Sequence, residues 1–323
     1  MNFFHPLEIG SVKLTGNLFL APMAGYTDKI YRSICLSHGA NLTYTEMVSS
    51  EGIARDSKNT LVLMERGENE TNLAVQLFMP DADTASRSVE GVLKYKPQLI
   101  DVNMGCPVPK VTKTGAGSAL LKNPSEIGKI VRALVEGTGL PVTVKIRTGW
   151  DLDSVNYLTT AEEAFNAGAS AVCMHARTKS QLYMPYADWS KLKDLKEHFK
   201  EKIIIGSGDL FTAEDAVKMF EQTDVDAVAF ARGAIGNPFI FEQTKALLTG
   251  LEKPEISTEA KVIEIKKHLR GLSDFIGENQ ACREMRKHVC AYLKGIPNSA
   301  KVRCAVSQAL TIEDYLKALS LLG

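Results

Sequence analysis

The chain has 323 residues, 45% of them hydrophobic and 24% charged, with 38 basic side chains balanced by 38 acidic ones. That composition fits a globular protein with a large core, built as one barrel-sized domain plus an appendage or as two ordinary domains, and it excludes a fibrous or low-complexity chain. The zero net charge names no partner, and the six cysteines (Cys35, Cys106, Cys173, Cys282, Cys290, Cys304) form no CxxC pair or metal-ligand spacing, which argues against a disulfide-dense secreted domain.

The chain opens on "MNFFHPLEIG", which has no early basic residue and carries Glu8, so it does not read as a signal peptide. No run approaches the roughly 18 apolar residues of a membrane span. The expectation is a cytoplasmic protein, monomeric, with no membrane segment and no bound metal. Eight short apolar runs follow: "NLFLAPMAG", "LTYTEMV", "LAVQLF", "LIDVNMG", "VTVKIR", "AVCMHAR", "IIIGSGD" and "AVAFARG", beginning near residues 17, 42, 73, 99, 142, 171, 203 and 227. Amphipathic stretches with helix start signals separate them. Asn123, Pro124 and Glu126 read as a cap, a first helical position and a capping box, and "IGKIVRALVEG" ends that helix in glycine. Thr212 and Asp215 repeat the capping logic. Continuous apolar strands alternating with helices imply a parallel sheet covered on its outer face. Eight such units predict a (β/α)8 TIM barrel over about residues 15–245, with a doubly wound open sheet as the alternative. Residues 246–323, beyond the linker "TGLEKPEIST" (249–258), carry helical patterns only, so the chain divides into a barrel domain (1–245) and an all-helical domain (246–323).

Active sites of such barrels lie at the C-terminal ends of the strands. Seven of the eight runs end in, or contain, unusual chemistry: Pro22-Met23-Ala24, Gln76, Asn103 with Cys106, Lys145 with Arg147, His175 with Arg177, Ser207-Gly208-Asp209, and Ala231-Arg232-Gly233. Each has an ordinary structural explanation on its own. Converging on one rim, so many polar groups would be costly to bury without a ligand. The glycine-bearing turns after runs 7 and 8 stand where this fold commonly binds phosphate, with helix N-termini and free amides favouring an anion. A phosphate-bearing cofactor there would lie against Ser207, Gly208, Ala231, Arg232 and Gly233. Lys145, His175 and Gln76 would face the remainder, and an ammonium beside an electron-accepting ring suits a flavin.

Seven segments then carry a resemblance: "APMAGYTD" (21–28), "DVNMGCPVPK" (101–110), "KTGAGSALL" (113–121), "VKIRTGW" (144–150), "HARTKSQLY" (175–183), "GSGD" (206–209) and "ARGAIGNPF" (231–239). In this order they resemble the tRNA-dihydrouridine synthases, most of all the bacterial B-type branch. The resemblance implies FMN, reduced by NADPH or NADH, and tRNA as substrate, with uridines of the D-loop reduced at their C5–C6 bond. It implies that Cys106 is the catalytic acid. Pro22, Met23, Ala24, Gln76, Lys145, His175, Ser207, Gly208, Asp209, Ala231 and Arg232 match cofactor-binding positions, and Asn103, Lys145 and Arg177 are candidates for the uracil edge. The chain departs from the family pattern at Met79, Ser207 and Ala231, where Gly, Asn and Gly are common, and at Ala291, where an aromatic is common.

An RNA substrate needs positive charge beside the pocket and a base flipped into it. From Lys261 to Arg303 there are six Lys and four Arg against four acidic residues, concentrated in "CREMRKHVCAYLKGIPNSAKVR" (282–303). This segment resembles the family's RNA-facing tail, and Arg283, Arg286, Lys287, His288, Lys294 and Arg303 are the candidate contacts. Three other readings of the residues stand beside this one: a small-molecule flavin barrel similar to dihydroorotate dehydrogenase, a tRNA-binding scaffold without turnover, and a Schiff-base aldolase using Lys145.

Overall fold

The structure, a computed structural model, describes residues 3–322. Eight parallel strands pair in chain order: β1 (Leu18–Leu20), β2 (Leu42–Tyr44), β3 (Leu73–Phe78), β4 (Leu99–Met104), β5 (Val142–Arg147), β6 (Ala171–His175), β7 (Ile203–Ser207) and β8 (Ala227–Phe230). β8 pairs back onto β1, with Val228 opposite Leu18, so the sheet closes and no edge remains. This is the (β/α)8 TIM barrel, and closure rules out the open doubly wound sheet. Seven longer helices surround it: α1 (Lys29–Ser37), α2 (Ala82–Leu93), α3 (Pro124–Thr138), α4 (Tyr157–Asn166), α5 (Ser190–His198), α6 (Ala213–Thr223) and α7 (Ile240–Leu248).

Local chemistry sets the helix ends. Thr212 caps α6 and shares a capping box with Asp215. The box expected at Asn123 does not form. The Asn123 carboxamide oxygen accepts from Ser125 Oγ at 2.9 Å, and Glu126 accepts instead from the Ala82 N–H, an orphan donor at the start of α2. Nor does α3 stop at Gly137. It runs one residue further and ends at Gly139, which supplies the left-handed φ of +65°. Gly137 lies inside the helix because Val89 packs over it, where a Cβ would come within 2.9 Å of a valine methyl.

Two three-residue strands, Leu7–Ile9 and Val12–Leu14, form a hairpin that the sequence reading did not anticipate. Its Ile9, Val12 and Leu14 pack with Leu42, Ala74, Leu99 and Ile205 from the barrel strands. The hairpin therefore plugs the barrel at the end away from the strand C-termini. Strands of three residues are too short to show a period in sequence.

After α7 a non-helical stretch (251–257) leads to four helices: α8 (Thr258–Ile276), α9 (Glu278–Tyr292), α10 (Ser299–Gln308) and α11 (Ile312–Leu319). They share an apolar cluster of their own that includes Leu269, Met285, Val289, Val302 and Tyr315. They also press on the barrel rim. His268 of α8 stacks on Tyr31 of α1 at 5.2 Å, and His288 of α9 meets His268, Tyr31 and Tyr26 at 4.5, 5.1 and 5.2 Å. Gly236, at φ +62° in the loop after β8, lets the end of α9 approach so closely that a Cβ would lie 2.4 Å from the Tyr292 nitrogen and 2.6 Å from the Ala291 methyl. The small side chain at Ala291 belongs to that contact. Among the described residues no helix is long and apolar enough to cross a membrane.

Asp28, His268 and His288 each place one ligand-type atom within 4.8 Å of the others. Both imidazoles are buried and held neutral, His268 at about 3 and His288 well below the usual range, chiefly by desolvation. An unfolded histidine protonates near pH 6.5. Between that value and 3 the unfolded chain therefore binds a proton that folded His268 refuses, and stability falls as pH falls. At pH 5 His268 alone removes about 2 kcal/mol, with His288 acting in the same direction. Urea midpoints between pH 7 and pH 5 should decline less steeply for His268→Phe than for the unmodified chain; parallel declines would show that the pair is not responsible.

Candidate active site

Strand register assembles the interior in rows. Gln76, Asp101 and Thr143 sit side by side on β3, β4 and β5, and Asn103 lies opposite Lys145 one row nearer the mouth. The next row contains Arg147, His175 and Ser207. Because side chains alternate along a strand, Asp101 and Asn103, and likewise Lys145 and Arg147, point to the same side. A cavity of about 510 Å³ opens at this end, within the usual range for small-molecule sites.

The structure brings most of the candidate residues to that cavity. Pro22, Met23 and Ala24 line it after β1, Gln76 from β3, Asn103 and Cys106 from β4 and its loop, Lys145 from β5 and His175 from β6. Ser207, Gly208 and Asp209 come from the end of β7, with Ala231 and Arg232 after β8. Two departures from the family pattern sit easily. Ala231 has a φ of −114°, so its Cβ brings no left-handed strain, and Met79 is buried in the barrel's outer core, away from the cavity. Ser207 reaches the cavity, but its hydroxyl donates to the Ala229 carbonyl at 3.1 Å and is not a free donor.

Arg177 departs from its expected place. Its guanidinium is buried and does not line the cavity: it makes two hydrogen bonds of 2.8 and 2.6 Å to Asp209, donates to Pro185 O, and lies 3.1 Å from His175 Nε2. A buried guanidinium needs a carboxylate more than an exposed pocket edge, and Asp209 supplies it. Asp209 also pairs with Arg232, whose guanidinium lies 4.3 Å from the Tyr183 ring and 4.9 Å from the Phe211 ring. Arg232 is thus held at the mouth, part-exposed, on the strand 7 and 8 side.

The Cys106 loop is strapped from three directions. The Cys106 N–H donates to Asn103 Oδ1 at 2.9 Å. Its carbonyl accepts from the Ser118 N–H and hydroxyl at 3.1 and 2.9 Å. Arg147 Nε donates to the Gly105 carbonyl at 2.9 Å while its Nη1 holds Thr178 O and Leu182 O. Gly117, at φ +61°, is required here, since a Cβ would stand 2.9 Å from the Cys106 carbonyl oxygen. Burial pushes the thiol up from its ordinary value, against a Val108 N–H and the charges of Arg147 and Lys145, which pull it down. The thiol therefore stays protonated at neutral pH. Arg147 itself is lowered to about 10, first by burial, and remains a cation. His175 is held well below its usual range, chiefly by burial and then by the Arg147 charge, so it is neutral. Lys145 Nζ has no hydrogen bond or ion pair among the described residues.

The tail candidates separate. Arg283 and Lys294 are exposed. Arg286 donates to Ala309 O, Arg303 to Ser299 Oγ, and Lys287 pairs with Glu284 5.0 Å from the Tyr26 ring. His288 is 1% exposed and faces the barrel, because its ring fills the junction against Tyr31 and His268. Its expected place on an RNA-facing surface is corrected accordingly.

Two residues central to the geometry have no role in the sequence reading: Arg147 is noted at its strand end without an assignment, and Asp101 is not singled out. Arg147 shares its strand face with Lys145, and Asp101 is a lone carboxylate inside an apolar run, two residues before Asn103; alternation and that isolated charge were the available signals.

The family model described as "Dihydrouridine synthase (Dus)" matches residues 19–321. A "Probable tRNA-dihydrouridine synthase" of Treponema pallidum (strain Nichols) is 43% identical over 304 residues, 90% of this chain and 88% of that protein. A "tRNA-dihydrouridine synthase B" of Pasteurella multocida (strain Pm70) is 37% identical over 318 residues, covering 97% and 94%. Among solved structures, histamine dehydrogenase from Rhizobium sp. 4-9 is similar with a TM-score of 0.56 at 13% identity, over 83% of this chain and 51% of that one. The chain thus spans about half of that structure, and the likeness is one of fold.

Proposed function

The chain belongs to the dihydrouridine synthase family, and we propose that it reduces the C5–C6 double bond of uridines in tRNA, with FMN as cofactor and NADPH or NADH as reductant. The observation that carries this reading is a protonated thiol on a strapped loop and an unpaired ammonium lining the same cavity.

The residues suit a flavin. Half-buried Lys145, without a carboxylate or carbonyl partner, calls for an anionic or electron-rich group. Arg232 offers a guanidinium to a phosphate at the strand 7 and 8 loops, and Asp209 fixes its direction. Ser207 adds its oxygen as an acceptor, its proton being engaged by Ala229 O. When bound, FMN recharged by the nicotinamide supplies the hydride equivalent that the base receives at C6.

The remaining work falls to this chain's own side chains. Cys106 delivers its thiol proton to C5, so one hydride and one proton convert the double bond to a single bond, and the thiolate left behind is reprotonated from solvent. Arg147 and Lys145 stabilise that transient thiolate, which their pull on the thiol already expresses. Asn103 keeps the loop in register through the Cys106 N–H, while its own amide donates to Gln76 Oε1 and faces Met47 Sδ at 3.9 Å. Arg177, paired to Asp209, orients the phosphate side and does not touch the base. Of the six tail candidates, Arg283 and Lys294 are the exposed ones, with side chains free to meet RNA phosphates.

An absorption spectrum of the purified protein tests the reading. Flavin bands that bleach on anaerobic NADPH and return on unmodified tRNA are the expected result. A protein that takes up no FMN overturns it, and reoxidation by a free pyrimidine but not by tRNA makes it a small-molecule flavoenzyme instead.

A further inference from the structure

We propose that Asp101 is a positioning residue whose carboxylate fixes the direction of two successive side-chain amides, Gln76 and Asn103, and through them the peptide N–H that aims Cys106. The inference rests on the catalytic reading of Cys106 and adds the element that orients it.

The chain of contacts is continuous and buried. Thr143 Oγ1 donates to Asp101 Oδ1 at 2.6 Å, and Gln76 Nε2 donates to Asp101 Oδ2 at 2.6 Å. Asn103 Nδ2 donates to Gln76 Oε1 at 2.9 Å, and the Cys106 N–H donates to Asn103 Oδ1 at 2.9 Å. Asp101 and Gln76 are 1% exposed and Asn103 8%.

Shape alone leaves each amide two orientations, because its oxygen and nitrogen ends are nearly the same size. Asp101 removes the choice. An ionised carboxylate only accepts, so Gln76 must turn its NH2 toward it. That leaves Gln76 Oε1 facing Asn103, which must then turn its own NH2 toward Gln76. The remaining end of Asn103 is an oxygen, and it faces the Cys106 N–H. Any reversal sets two donors or two acceptors against each other in a buried row, where unmatched polar groups are most costly. The series is anchored at both ends: Asp101 can only accept, and the Cys106 and Gly105 N–H groups, at 2.9 and 3.3 Å from Asn103 Oδ1, can only donate, so the carboxylate is the side-chain group that matches the direction the loop requires.

The test compares alkylation of half-buried Cys106 by iodoacetamide in the flavin-loaded protein, read at the Cys106 peptide by mass because Cys290 and Cys304 are exposed. In Asp101→Asn the acceptor-only end is lost: the new amide can turn its NH2 toward Gln76, which sets that reversed order against the Cys106 and Gly105 N–H groups and loosens the Asn103 contact that aims the thiol. The labelling rate at Cys106 should change by about tenfold, the rate equivalent of one lost hydrogen bond, with the unfolding midpoint little moved. Adding Asn103→Asp restores an acceptor at Cys106 and should return labelling toward the unmodified rate. A purely structural role for the buried carboxylate would not be rescued in that way. If Asp101→Asn does not fold, Gln76→Leu keeps the carboxylate and cuts the series in the middle, and it should shift labelling similarly. Unchanged labelling in Asp101→Asn, or in Gln76→Leu, overturns the proposal. So does a double variant labelled like Asp101→Asn. Labelling needs neither NADPH nor tRNA, so a failure of the proposed RNA chemistry leaves this comparison readable.

Discussion

Cys106→Ala should leave bleaching by NADPH intact and slow recovery on tRNA by about 10²–10⁴-fold, the usual contribution of a positioned general acid. The separation follows from where the thiol sits. It lies on the loop after β4, with its backbone held by Asn103 and Ser118 and its neighbour Gly105 held by Arg147. Removing one sulfur atom disturbs none of those backbone bonds. Lys145 and Arg232, the groups assigned to the cofactor, stand on β5 and after β8 and are untouched. Cys106→Ser should recover little, since a hydroxyl is a far weaker acid than the thiol. Equal recovery rates for Cys106→Ala and the unmodified protein would remove Cys106 from the chemistry.

Arg32→Met should destabilise the fold by about 3–5 kcal/mol. Arg32 is 1% exposed on α1. It donates to both oxygens of Glu70, at 2.8 and 2.9 Å, and to the carbonyls of Thr27 and Glu65. Glu70 also accepts from Thr43 of β2 and from the Gly67 N–H. The pair therefore joins α1, β2 and the connection to β3 at one point. Removing the guanidinium strands a carboxylate in a dry site, which is what costs; removing both charges with Glu70→Gln added should recover a good part of the loss. Urea unfolding of the two variants decides it. A single variant within 1 kcal/mol of the unmodified protein, or a double variant no better than the single, would contradict this account.

The barrel was legible because its strands are buried on both faces. Runs such as "LAVQLF" and "VTVKIR" coincide with β3 and β5 to the residue, since a continuous apolar run bounded by polar turns leaves little choice. The hairpin at Leu7–Leu14 was not, because three-residue strands have no measurable period. The Asn123 box failed for a tertiary reason: α2 offers Glu126 a better donor in the Ala82 N–H. At the site, residue types at strand ends carried the information, and the residues they named, Arg177 excepted, meet at one cavity. What sequence could not express was pairing. Arg177 looks like any other strand-end cation until Asp209 is seen to hold it, and His288 reads as part of a basic surface until Tyr31 and His268 are found against it. Helical spacing places His288 on α9 but does not say which side of α9 meets the barrel.

The hairpin under the barrel has a kinetic consequence. With Ile9, Val12 and Leu14 packed against the other end, the cavity opens at the C-terminal ends of the strands. On the proposed reading, a nicotinamide and a flipped uracil would both use that mouth to reach the same ring, and so would compete for it. Reductant and RNA would then take turns, each departing before the other arrives, with the electrons waiting in the protein between visits.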